Sequence, residues 1–252
     1  MKKLLSYVFL VVATLVFSMA SVPAYAEWKL YDDFNSGIID EDKWARSGGT
    51  ADITIENGMV KFVHSGPGSG STWLLPNIDR QKIKGIKATI IFDSCTSDCS
   101  PDDECPKDVR GRIGSFIGTE KLNPEYFILT EMCLEPYFEN RNTPRLFGQV
   151  VRLDYPKGLA WVDTPYWGCF LHENGILPGD VMGVPYTFTM EWTRVGVKYE
   201  VEGGGKAQYR WEKTLNIERI RDPNKAFVGI GTRSDSGSGP CTVYFDDVYL
   251  KY

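Results

Sequence analysis

The chain has 252 residues, of which 42% are hydrophobic, and it carries 28 Lys and Arg against 33 Asp and Glu, for a formal net charge of −5. An acidic balance and no basic block disfavour nucleic-acid binding, because phosphate contacts need clustered Lys and Arg. No Gly-x-Ser-x-Gly elbow, phosphate loop, His-Glu-x-x-His pair or dinucleotide fingerprint occurs, so serine-hydrolase, nucleotide and zinc-protease chemistry find no support.

Residues 1–26 read as a secretory leader. Lys2 and Lys3 form the positive start, Leu4 to Ala20 the apolar stretch, and Ala24-Tyr25-Ala26 the small-residue cleavage pattern. A retained membrane anchor is the alternative. Against it stand the shortness of the stretch, its Ser6, Thr14 and Ser18, and the lack of a basic stop-transfer cluster. Cleavage after Ala26 would leave a 27–252 domain with 26 of the 28 basic residues and a net charge near −7. The expectation is an exported protein, periplasmic or extracellular, with no membrane insertion after cleavage. Nothing resembling a linker divides the remainder, so a single domain is expected.

Beyond the leader, turn signals recur at short intervals: Asn57-Gly58, Gly66-Pro67-Gly68, Pro156-Lys157-Gly158, Asn174-Gly175, Pro178-Gly179, Gly203-Gly204-Gly205 and Ser236 to Pro240. Between them lie alternating or β-branched and aromatic runs at Ala51 to Val63, Gly85 to Phe92, Tyr126 to Leu134, Phe147 to Leu153, Tyr186 to Trp192, Val195 to Val201, Gln208 to Trp211, Ala226 to Gly231 and Thr242 to Leu250. This pattern predicts an all-β fold. Thr189 to Trp192, Lys198 to Val201 and Gln208 to Trp211 form a three-stranded meander, and only Lys213 to Arg221 is compatible with a short helix. The two ends, Trp28 to Asp40 and Thr242 to Leu250, both read as strands, and terminal strands of one sandwich commonly pair.

All six cysteines (Cys95, Cys99, Cys105, Cys133, Cys169, Cys241) follow the leader, and an even count in an exported chain predicts disulfides whose pairing spacing alone leaves open. The Pro, Asp and Cys-rich stretch from Asp93 to Asp108 reads as a long pinned loop. With two histidines, His64 and His172, both expected on the surface or in loops, a zinc knuckle is disfavoured.

Asp32-Asp33-Phe34 with Ile39-Asp40 and Trp44, Ile55 to Val60, Tyr186 to Trp192 and the closing Phe245-Asp246-Asp247-Val248 together resemble the concanavalin A-like lectin and glucanase superfamily, including laminin-G-like domains and laminarinase-type hydrolases. The resemblance implies a jelly-roll β-sandwich of two curved antiparallel sheets, with carbohydrate on the concave face. It also implies a structural calcium where the end strands meet, carried onto Asp246 and onto Asp32 or Asp33. Hard Ca²⁺ takes 6 to 8 oxygen ligands, which adjacent aspartates and carbonyls supply. The bland reading of these aspartates is solubilising charge at edge strands.

Two further groups are candidates. In Glu131-Met132-Cys133-Leu134-Glu135, side chains alternate on a strand, so Glu131, Cys133 and Glu135 share one face. The run resembles the Glu-x-Asp-x-Glu strand of laminarinase-type hydrolases, which would make Glu131 the nucleophile and Glu135 the general acid. Cys133, however, stands where the family has Asp, and the family's flanking Gly and Trp are absent. A retaining pair also needs carboxyls about 5 to 5.5 Å apart, against about 13 Å between α-carbons four residues apart on a flat strand. The competing reading is two solvent-facing glutamates flanking a disulfide. The second group is Trp161, Asp163, Tyr166 and Trp167, whose flat rings and carboxylate suit stacking on sugar C–H faces and accepting hydroxyl protons. Trp73, Tyr137 and Phe138 extend this platform, while Trp28, Trp44, Trp192 and Trp211 are assigned to the core. The leading expectation is an exported non-catalytic domain that binds a polysaccharide or glycan. The alternatives are a glycoside hydrolase or polysaccharide lyase acting on a β-glucan-type polymer through Glu131 and Glu135, and an envelope protein-interaction module using the Cys95 to Cys105 loop.

Overall fold

The computed structural model describes residues 27–66, 68, 70–79, 82–95, 109–118, 126–135, 145–154, 160–161, 181–192, 196–204, 206–214, 222–234 and 240–252. Among them there is no α-helix, and no helix long and apolar enough to cross a membrane.

The described residues form fifteen strands in two sheets. Sheet A runs β13 (Lys206–Thr214), β12 (Gly196–Gly203), β11 (Tyr186–Trp192), β6 (Gly85–Cys95), β15 (Cys241–Lys251), β4 (Met59–His64) and β3 (Asp52–Glu56), with β1 (Trp28–Asp32) added against β15. Sheet B runs β10 (Ala160–Trp161), β9 (Arg145–Asp154), β8 (Tyr126–Glu135), β7 (Val109–Gly118), β14 (Asp222–Ser234), β5 (Gly70–Pro76) and β2 (Trp44–Gly48). Every pairing between these strands is antiparallel. The expected two-sheet sandwich and the β11–β12–β13 meander are observed. The proposed helix is not supported at its start, since Lys213 and Thr214 belong to β13, where they pair with Val197 and Gly196.

Period-two patterning explains sheet A. Val60, Phe62 and His64 on β4 point inward, as do Ile86, Ala88, Ile90 and Phe92 on β6 and Phe188, Met190 and Trp192 on β11. They face Leu74, Ile113, Met132, Leu134, Val228 and Ile230 of sheet B in one buried cluster. Each fully buried large apolar side chain contributes about 1.5–3 kcal/mol. The sheets come close at Gly111, where a Cβ would lie 2.9 Å from Ile90 and 3.0 Å from Val243.

The terminal strands pair as expected: Trp28 lies opposite Lys251 and Leu30 opposite Tyr249, with a bulge before Asp32. Asp32 explains the opening motif. It accepts hydrogen bonds from the Phe34 amide at 2.9 Å and from the Trp44 indole at 2.8 Å, and Phe34 stacks on Trp44 with ring centroids 5.8 Å apart. Trp28, assigned to the core by sequence, is only half-buried and lies under the Lys251 ammonium, 5.7 Å from its ring centroid. An edge strand leaves one face of its residues without a covering layer.

Candidate functional site

The candidate residues converge on the face of sheet B that points away from sheet A. Strands β7 and β8 set the geometry, because directly opposed residues of an antiparallel pair share a face. Arg112 lies opposite Cys133 and Gly114 opposite Glu131, so the charged row of one strand meets the charged row of the other. Arg112 Nη1 donates to Glu131 Oε2 at 2.9 Å, and the guanidinium of Arg110 pairs with Glu135. Glu131, Cys133 and Glu135 are all 0% exposed, against the expectation of solvent-facing glutamates. Residues 130–135 are in fact buried on both faces of the strand.

Trp73 of β5 lies across this face. Its indole occupies the space that side chains at Gly231 and Gly114 would need: a Cβ at 231 would sit 2.8 Å from Cε3, and one at 114 would sit 3.0 Å from Cη2. The Arg112 guanidinium stacks over the indole with its Cζ 4.1 Å from the ring centroid. Arg112 also reaches back through the sheet, Nη2 donating to the Thr232 carbonyl at 3.4 Å. The hydroxyl of Thr232 is hydrogen-bonded at 2.8 Å to Nε2 of His64, which stands on sheet A and is 1% exposed. The surface assignment of His64 is therefore overturned, because the inward beat of β4 carries it into the core behind Phe62.

Cys133 corrects a second expectation. It is a free thiol, whereas Cys95 and Cys241, opposite one another on β6 and β15, form a disulfide. Burial pushes the Cys133 thiol well above its ordinary range, and the Glu131 charge adds to this against Arg110 and Arg112. The group is a neutral thiol, so the middle position of the motif supplies no negative charge. Cys99, Cys105 and Cys169 lie outside the described residues.

A retaining glycosidase needs one carboxylate free to attack and one carboxyl carrying a proton. Here each glutamate meets a guanidinium in a water-poor setting, and protonating either would leave a buried arginine without its counter-charge, an arrangement that costs several kcal/mol. The pairs neutralise charge and order the face.

Of the aromatic platform, Trp161 is on β10 at the edge of sheet B, paired with Leu153. The unbroken β9–β8 register links Leu153 to Phe127, in the same parity as Gln149 opposite Glu131 and Phe147 opposite Cys133. Asp163, Tyr166 and Trp167 lie outside the described residues, as do Tyr137, Phe138 and His172.

The proposed calcium ligands sit at the β1–β15 junction. Asp32 accepts from the Phe34 amide and the Trp44 indole, one on each carboxylate oxygen, with Lys43 3.8 Å away. Asp33 accepts from the Asn35 amide and Asp246 from the Asp247 amide. Burial raises the Asp246 carboxyl above its ordinary value, with the Asp247 amide opposing and the charges of Asp247 and Asp33 adding to the rise. Among the described residues, no group of three or more His, Cys, Asp or Glu is disposed to hold a metal ion.

Sequence reasoning missed Arg110 and Arg112, because the expected strands pass over Val109–Gly118 altogether, and Thr232, because the expected strand Ala226 to Gly231 ends one residue before it. The signal was present in Val109, Gly111 and Ile113 alternating with Arg110 and Arg112. Gly111, Gly114 and Gly118 in one run weaken the strand signal by propensity.

Two antiparallel sheets in this order, closed by paired terminal strands, define a concanavalin A-like jelly roll. The same fold is seen in the catalytic domain of an endo-1,3-β-glucanase (laminarinase) from Thermotoga petrophila RKU-1, at TM-score 0.54 and 14% identity over 90% of this chain and 98% of that one. Peanut lectin matches at TM-score 0.51 and 9% identity over 90% and 99% of the two chains, and lectin I-B4 from Griffonia simplicifolia at 0.50 and 10% over 89% and 98%. At such identities the likeness concerns the fold. No family model matches the sequence, and no curated protein does.

Proposed function

We propose that this chain is an exported, non-catalytic domain that binds a polysaccharide or glycan, freed from a leader at residues 1–26. The observation that carries the reading is the pairing of Arg112 with Glu131 and Arg110 with Glu135, around the neutral thiol of Cys133. Both glutamates that could do hydrolysis are engaged as charge partners of arginines. The fold supports a carbohydrate ligand, since lectins and a glucanase share it. Trp161, Asp163, Tyr166 and Trp167 are the residues proposed to meet the sugar, by ring stacking and hydroxyl hydrogen bonds. The Cys95–Cys241 disulfide supports an oxidising compartment, periplasmic or extracellular. Calcium is proposed only at Asp33 and Asp246, where a cation would relieve the mutual repulsion of the carboxylates.

The second reading, a hydrolase or lyase, keeps one observation in its favour: Glu131 and Glu135 share one face of β8. A glycan array probed with residues 27–252, together with reducing-sugar release from β-glucans, separates the two. We expect binding that Trp167→Ala abolishes and no sugar release. Sugar release lost in Glu131→Gln would establish catalysis instead, and an array on which neither protein binds would remove the glycan reading.

A further inference from the structure

His64, Thr232, Arg112 and Glu131 stand on four strands of two sheets and form one buried polar line through the sandwich. The line begins where the inward beat of β4 passes from Val60 and Phe62 to a histidine. It crosses to sheet B at the Thr232 hydroxyl, 2.8 Å from His64 Nε2, and Thr232 is itself 0% exposed. From the Thr232 carbonyl it continues to Arg112 Nη2 at 3.4 Å, and from Arg112 Nη1 to Glu131 at 2.9 Å. Arg112 also lies over the ring of Trp73. The 3.4 Å contact lies beyond the usual 2.7–3.2 Å range for N–H···O and is the weak joint of the line.

We propose that His64 is an acid sensor for the outer face of sheet B: its protonation, passed through Thr232, shifts the Arg112 guanidinium and so changes the Arg112–Trp73–Glu131 stack.

The electrostatics favour this direction of action. Burial holds the His64 imidazole below its ordinary value, the backbone of Thr50 works against this, and the charge of Arg112 works with it. Of the packed elements, β3 brings Asp52, opposite Val63 and exposed to solvent, and the charge that acts on the imidazole is that of Arg112. Thr232 on β14 and Thr50 before β3 are neutral, and Cys241 on β15, opposite His64 in register, is locked to Cys95 of β6. Arg112 on β7 is therefore the charged group that the imidazolium acts on, and two cations in one low-dielectric interior repel. A protonated imidazole also donates from both ring nitrogens, which reorients the Thr232 hydroxyl. Arg112 is drawn from its long contact with Thr232 toward its short one with Glu131, and Trp73 senses the movement.

The test uses the chain labelled with 5-fluorotryptophan, its Trp73 resonance assigned with Trp73→Phe and the His64 ring signals assigned with His64→Asn. Between pH 8 and 5 we expect the Trp73 resonance to shift with the midpoint of the His64 titration, at a pH below about 6.5. The shift should vanish in His64→Asn. It should be reduced in Thr232→Val, where His64 still titrates and its charge still acts on Arg112 but the hydroxyl link is gone. A Trp73 signal that stays still while His64 titrates overturns the proposal, as does an unchanged shift in Thr232→Val. Failure of His64 to titrate before unfolding, or a shift that accompanies loss of all dispersed tryptophan signals, overturns it equally. Should His64→Asn fail to fold, Thr232→Val alone decides.

Discussion

Arg112 is the residue on which most of the candidate site turns, since it touches Glu131, Trp73 and the Thr232 carbonyl while only 3% of its side chain is exposed. Removing one member of such a pair is far more damaging than replacing both, because the survivor is a charge left in a dry interior. Urea unfolding of Arg112→Ala should therefore show a loss of about 3–5 kcal/mol, whereas Arg112→Met combined with Glu131→Leu should lie within about 2 kcal/mol of the native chain. A second prediction concerns acid. His64 has a folded pKa below its unfolded value, so the unfolded chain binds more protons as the pH falls. Its contribution is intact above about 6.5 and is lost as the pH falls through the lower folded value. Melting temperature measured from pH 7.5 to 5.5 should decline in the native chain and decline less in His64→Asn. Asp246 is the opposite case, a carboxyl whose folded value is raised by burial and like charge. Asp246→Asn should raise the melting temperature in EDTA by a degree or two and remove any rise that calcium produces in the native chain. A native chain indifferent to calcium would leave the aspartates as edge charge only.

At the scale of strands, sheet A and β8 were legible and β7 was not. The Asn57-Gly58 hairpin illustrates the legible part: both residues have positive φ, 54° and 76°, as a type I′ turn demands, and they join β3 to β4 in the register Glu56 opposite Met59. Along β4 and β11 buried and half-buried residues then alternate without exception. On β8 the alternation still says which residues share a face, but both faces are covered, and a polar row covered on both sides looks in sequence like a solvated one. The lever that holds Trp73 flat is equally hidden. Gly231 on β14 lies opposite Trp73 on β5, and the indole fills the place of the missing side chain. Gly231→Ala should push the ring off the sheet and destabilise by about 1–3 kcal/mol, read by thermal unfolding and by near-ultraviolet circular dichroism of the tryptophans.

At the scale of the whole molecule, the two ends of the chain close sheet A side by side. Strand β15 takes β4 along its first half and β1 along its second, with Asp247 at φ 50° marking the change. The Cys95–Cys241 disulfide ties β15 to β6 across a sequence separation of 146 residues, so it closes most of the domain into a loop. In the chain-entropy account, a crosslink closing a loop of this length restrains the unfolded ensemble and is worth about 5 kcal/mol. Cys95→Ala with Cys241→Ala should lower stability by that amount, and reduction of the native chain by dithiothreitol should reproduce the effect. A larger loss, with collapse of the β1–β15 pairing seen by hydrogen exchange, would mean that the crosslink specifies the fold as well as stabilising it.

Local chemistry alone determined the all-β class, the meander, the hairpin turn and the pairing of the ends, because turn residues and period-two hydrophobicity act over a few neighbours and each names its own partner face. It also placed Glu131, Cys133 and Glu135 on one side of a strand. Tertiary structure decided that this side is closed to water, that Arg110 and Arg112 stand against the glutamates, that Cys133 keeps its thiol while Cys95 finds Cys241, and that His64 reaches Thr232 through the core. Those outcomes depend on the register between strands far apart in sequence and on what covers a face, and neither is written in the alternation of any one segment.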